Sequence, residues 1–183
     1  MNNKTINKII EEFIYAYPVC EFACLTPGEL NFSDKVRYIC ERECPNYGKS
    51  WACPPGIEPI GLCIEKCLAF DHVFLFTSIA EVSDCMNFDA CLQARRSHEQ
   101  MTRDIKKRFE ERFGTVLALS TGCTLCDKCA YPDNPCRHPS DRLSTIESHG
   151  ILIMETASRL GIMLDCGNNM VTYLSLIFFN AQP

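Results

Sequence analysis

Residues 123–136 read Cys-Thr-Leu-Cys-Asp-Lys-Cys-Ala-Tyr-Pro-Asp-Asn-Pro-Cys, which places Cys123, Cys126, Cys129 and Cys136 within fourteen residues. A folded chain seldom crowds thiols in this way unless they share a ligand. Three thiolates on one tight loop, with a fourth reaching over from its far end, can hold a cubane iron–sulfur cluster. Any fold open to this chain must therefore present these four side chains to one common group.

The remaining cysteines set the redox compartment. There are fourteen in 183 residues, an even number that a disulfide framework would also supply. Residues 1–13 are polar, amphipathic and partly acidic, without the basic, apolar and small-residue succession of a secretory signal. A reduced, cytoplasmic protein with clustered cysteines is expected, and in that setting such clusters read as metal-binding or redox-active. The net charge of −5 argues against nucleic acid or an anionic membrane surface as the partner. The longest apolar run, residues 171–179, is interrupted by Thr172 and Ser175 and is too short to span a bilayer.

Periodicity supplies the outline of a single domain over residues 1–183. Ile6, Ile9, Ile10, Phe13 and Ile14 predict an amphipathic helix over residues 4–16, within an N-terminal segment of 1–17. Residues 18–69 form a first cysteine-loop region, irregular to about residue 62, with a short strand expected at 36–39 and a short helix at 62–70. The core, 70–183, opens with a buried strand at 72–79. A long helix follows over 86–113, its inner face traced by Phe88, Cys91, Leu92, Met101, Ile105, Phe109 and Phe113, with Gly114 as its cap. A strand at 115–120 feeds the cysteine loop, a helix is expected at 144–160 with both Ile146 and Met154 inward, and a strand at 170–179 closes the chain. The order predicts an α/β fold, with α+β as the alternative: a small sandwich of a short central sheet flanked by helices and carrying cysteine-rich loops. Sites in such folds gather at the C-terminal ends of strands, where the 123–136 loop falls.

A second cysteine loop has Cys40, Cys44 and Cys53, with Pro54 and Pro55 stiffening the backbone behind it. Tyr47 and Trp51 offer a dry wall, which helps set the potential of a cluster. The fourth ligand is open. Cys20, Cys24, Cys63 and Cys67 repeat an i, i+4 spacing, and Cys67 is taken as the candidate. A three-thiol centre with an open iron is the alternative. Structural zinc usually draws on two C-x2-C knuckles from separate segments. The closely spaced triplet here suits the face of a cubane better. The bacterial ferredoxin run is not completed, because six residues rather than three precede Cys136. The C-x3-C pairs do not continue into the C-x3-C-x2-C of radical-SAM enzymes, since Pro27, Tyr47 and Phe70 stand at the third position.

The elements Cys40-x3-Cys44-x2-Tyr47-Gly48-Lys49-x-Trp51-x-Cys53-Pro54-Pro55, Cys123-x2-Cys126-x2-Cys129 and Cys136-Arg137-His138-Pro139 are together specific. With Arg142, Ser144, Glu147 and Gly150, they resemble the prokaryotic, cysteine-rich, predicted metal-binding proteins grouped as domain of unknown function 2284. The resemblance spans residues 36–165, with Leu143 replacing a proline of the family pattern. It implies a metal-binding, iron–sulfur protein and names no reaction. It also implies three cysteines in the first loop, so that Cys20, Cys24, Cys63, Cys67, Cys85, Cys91 and Cys166 are extras of this member.

The functional expectation is one cubane on Cys123, Cys126, Cys129 and Cys136 and a second on the first loop. Such a protein would act in electron transfer to, or maturation of, a protein redox partner. Arg137 and Arg142 are candidate cofactor-binding residues, because cationic donors beside a cluster stabilise its reduced state. Against this stands a local Arg142–Glu147 ion pair with His138 and His149 solvated. A zinc protein whose two sites staple an interaction surface is the alternative from a different class.

Overall fold

The computed structural model describes residues 3–181. Its centre is the strand β5, Met170–Phe179, which pairs antiparallel with β2, His72–Glu81, along ten residues, and with β3, Val116–Ser120, on its other side. The short strand β1, Phe22–Leu25, extends the β2 edge, and β4, Ser144–Thr145, lies parallel to β3. The order is β1-β2-β5-β3-β4. β2 and β3 therefore run in the same direction with β5 inserted between them. The long helix α4, Phe88–Phe113, makes the crossover.

Strand alternation explains why β2 and β5 read as continuous apolar runs: each face of the sheet is covered. Phe74 and Phe76 of β2 and Ile177 and Phe179 of β5 meet Ile6, Ile10 and Ile14 of α1, Asn3–Ile14, together with Ile105, Phe109 and Phe113 of α4. The intervening residues Val73, Leu75, Leu176 and Phe178 face the opposite way, onto Ile146, Ile151, Ala157 and Cys67. The last two lie on α5, Ile153–Arg159, and α3, Ile60–Leu68. This is an α/β fold, as expected.

Three local expectations are corrected. Residues 36–39 belong to the helix α2, Lys35–Glu43. The β-branched Val36 and Ile39 suggested a strand, but packing of Val36 inward decides the conformation. The helix expected at 144–160 is broken into β4, a 3-10 turn at Glu147–His149, and α5. Thr145 and Ser148 satisfy one another through side chains, with the Ser148 amide donating to Thr145 Oγ1 at 3.1 Å and its hydroxyl to the Thr145 carbonyl at 2.6 Å. This is local competition of the kind that disfavours helix. Gly150, at φ +75°, then turns the chain in the left-handed region. As a result Met154 is exposed rather than inward. Finally, α4 begins beyond the sheet, so Phe88 is 75% exposed and Cys91 only half-buried, while the apolar stripe starts at Met101.

Between α4 and the sheet lies a buried polar chain. His98 joins Ser78 Oγ through Nδ1 at 2.7 Å and Ser175 Oγ through Nε2 at 2.8 Å, and Ser175 donates to Ser120 Oγ at 2.7 Å. Burial pulls the His98 pKa from 6.5 down to about 4, and burial does the same to His149. Both are therefore neutral in the fold and protonate first in the unfolded chain. Their stability contribution is complete above about pH 6.5 and is lost as pH falls from there through about 4. Each should cost about 2 kcal/mol at about pH 5. Denaturant melts at neutral pH and at about pH 5 check this. His98→Gln should flatten the acid-side loss by about half of the two-histidine total.

Candidate metal centre

β3 ends at Ser120, and the chain turns through Thr121 and Gly122 into the 123–136 loop. The start of that loop is held by Glu99, a fully buried carboxylate on α4. The Thr124 amide and hydroxyl both donate to Glu99 Oε2 at 2.7 Å. Arg95 pairs with Oε1 at 2.9 Å and Arg103 with Oε2 at 3.3 Å, so the buried charge is compensated from two sides. Arg95 also donates to the Thr121 carbonyl at 2.8 Å. It passes so close to Gly122 that a Cβ there would lie 2.0 Å from its Nη2. Arg103 reaches the Asp141 carbonyl at 3.0 Å beyond the loop's far end. Glu99 carries no sequence signal, because on a helical wheel it reads as one more surface acid. The one trace is its i, i+4 placement between Arg95 and Arg103.

The four thiols the sequence singled out line one pocket. Cys123, Cys126, Cys129 and Cys136 share this lining with Ser50, Trp51, Ala52, Arg137, His138 and Arg142. Burial raises the Cys123 thiol above its ordinary value, against backbone amides of Leu125 and Leu143 that favour the thiolate. Burial acts in the same sense on Cys129, but amides of Tyr131, Trp51 and Ala130 and the Ser50 hydroxyl outweigh it and lower that thiol. Arg142 does not pair with Glu147. Its Nε is buried without a partner in this wall, an orphaned donor that an anionic group in the cavity would satisfy. Arg137 is exposed and donates to the Lys128 carbonyl, tying the loop across itself. His138 is exposed as expected, whereas His149 is buried.

The first loop closes over the second. Trp51 Nε1 donates to the Asn134 carbonyl at 2.9 Å, and its ring meets Tyr131 edge-on at 4.8 Å. Thr145 donates its amide to the Ala52 carbonyl at 3.2 Å. Cys40 and Cys53 share an open cleft with Cys44, and Cys123, Cys126 and Cys129 form its opposite wall. Arg95, Arg96, Lys49, Tyr47 and Glu147 complete the lining. Burial drives the Cys53 thiol up to about 11, with Thr145 hydrogen-bonding to it in opposition. Burial also raises the Cys40 thiol, helped by the neighbouring Cys44 and Glu147. Glu147 is exposed at the cleft, where partial desolvation still raises its carboxyl above the ordinary carboxylate value, with Arg95 opposing.

Cys67 is not brought to this cleft. It is fully buried among Leu25, Leu30 and Val73 below α3, and Cys63 beside it accepts from Arg37 Nη2 at 3.4 Å. The i, i+4 spacing of this pair places both thiols on the inner face of a helix, where free cysteine acts as a small hydrophobe. Cys67→Ser should therefore leave metal content unchanged and destabilise the fold by about 1–3 kcal/mol. Elemental analysis together with a denaturant melt checks this.

Among the described residues, no group of three or more His, Cys, Asp or Glu side chains is placed to hold a metal ion. No helix among them is long and apolar enough to cross a membrane. No curated protein and no solved structure matches the chain. The model of one family, described as predicted metal-binding protein (DUF2284), matches residues 23–179, which takes in the sheet and both cysteine loops, so this chain belongs to the DUF2284 family.

Proposed function

We propose that the protein is a two-centre iron–sulfur protein, with one cubane on Cys123, Cys126, Cys129 and Cys136 and another on the Cys40, Cys44 and Cys53 loop. It would act in electron transfer to, or maturation of, a partner redox enzyme. The observation that carries this reading is the cavity in which four thiols and the orphaned Arg142 Nε meet. Such a cluster would supply one-electron redox chemistry. The chain's own residues do the rest. Backbone amides and the Ser50 hydroxyl are aimed at Cys123 and Cys129, and donors to ligand sulfur stabilise the reduced state. Trp51 lines the pocket and packs edge-on against Tyr131.

Anaerobic purification followed by iron, sulfide and zinc analysis tests the assignment. A coloured protein with equimolar iron and sulfide supports it. A colourless protein with stoichiometric zinc overturns it in favour of stapled loops.

A further inference from the structure

We propose that the carboxylate of Glu147 is the fourth protein ligand of the Cys40, Cys44 and Cys53 centre. This rests on the reading of that loop as a metal centre. The turn bearing Glu147 touches the loop on both sides of it. Thr145 hydrogen-bonds to Cys53 and donates to the Ala52 carbonyl. Two residues past Thr145, Glu147 lines the cleft with all three thiols. Ser148 and Gly150 then dock on the segment that begins α2: Arg37 Nε donates to the Ser148 carbonyl at 3.0 Å, and the Ser33 amide donates to the Gly150 carbonyl at 2.7 Å. α2 carries Cys40 and is capped by Cys44. The backbone of Glu147 is thus held between the two arms of the three-thiol loop, and its side chain lines the cleft with Cys40, Cys44 and Cys53.

Asp127 and two of the remaining thiols are committed elsewhere. Asp127 pairs with Arg96 at 3.2 Å and its side chain is fully in water. Cys63 and Cys67 are buried beneath α3. The ligands of a cubane each bind a different iron and stand farther apart than those of a single ion, which suits a group across a cleft. A carboxylate oxygen is a harder donor than a thiolate and a poorer match for cluster iron. It therefore makes this iron the exchangeable one, the position that an incoming small molecule would take. The second loop, with four thiols, has no such position.

The test uses the full chain, purified anaerobically, with Glu147→Gln and Glu147→Cys. The glutamine variant should lose about one iron in four from the first-loop centre and acquire a three-iron paramagnetic signature. The cysteine variant should retain that iron with a changed reduced-state spectrum. The 123–136 centre should be unaffected in both. A glutamine variant with wild-type iron content and an unchanged spectrum overturns the inference while leaving the two-centre reading in place. Wild-type protein without metal on the first loop overturns both. Thermal melts of the metal-free chains separate loss of a ligand from loss of fold.

Discussion

Replacing Cys123 with serine should empty the 123–136 centre while leaving the first loop occupied. Cys123 is a partly buried thiol. It lies at the end of β3, held between amides of Leu125 and Leu143, so a serine there cannot swing out to be replaced by a neighbour. The loop gathers four thiolates around one cavity. Without the bound group these would share one pocket, with Arg142 and Arg137 in its lining. Metal binding to such a set is also folding free energy, on the order of 10 kcal/mol for a structural thiolate site. The loss should therefore appear twice: as missing iron and sulfide in elemental analysis, and as a large fall in the thermal midpoint of the purified protein. Cys91→Ser is the matched control, since its thiol only donates to the Cys85 carbonyl at 3.4 Å, and it should change neither quantity. An unchanged metal content in Cys123→Ser would refute the assignment of the loop.

Glu99→Ala should be the most damaging substitution outside the cysteines. It removes a fully buried carboxylate and leaves the Arg103 guanidinium, only 6% exposed, without its counter-charge. Breaking one partner from a buried pair costs about 3–5 kcal/mol. The same change orphans the Thr124 amide and hydroxyl, one residue past Cys123, so the loop loses its anchor on α4. The expected result is a fall in the denaturation midpoint together with partial loss of metal from the 123–136 centre. Glu99→Gln keeps the shape and one acceptor oxygen, and should restore metal content more fully than stability. If Glu99→Ala lowers stability and leaves metal content at wild-type level, the anchor is structural only.

Much of the architecture was legible because its signals are local. Ile6, Ile10 and Ile14 recur at helical spacing, and β2 and β5 are runs of β-branched and aromatic residues long enough to be strands buried on both faces. What was not legible had signals that tertiary packing overrode. Val36 and Ile39 look like strand residues, yet α2 forms because docking on Ser148 through Arg37 favours a helix there. The helix expected over 144–160 had a valid apolar period, but Thr145, Ser148 and Gly150 spend their hydrogen bonds and left-handed backbone on a turn. β1 has four residues and lies in a stretch that reads as irregular, so only its pairing partner β2 makes it a strand.

The same division runs through the site. Spacing within one short loop limits how far thiols can separate, so the closeness of Cys123, Cys126, Cys129 and Cys136 is written in the sequence, as is the grouping of Cys40, Cys44 and Cys53. Only the tertiary structure decided that the two groups face each other across one cleft, since that depends on Trp51 packing on Tyr131 and on Thr145 reaching Ala52, contacts between segments some eighty or more residues apart. It also decided that Cys67 belongs to the core and that Glu147 lines the cleft. A thiol on the inner face of a helix and a thiol aimed at a metal have the same spacing in sequence. Which one is present depends on what the opposite side of the molecule places against it.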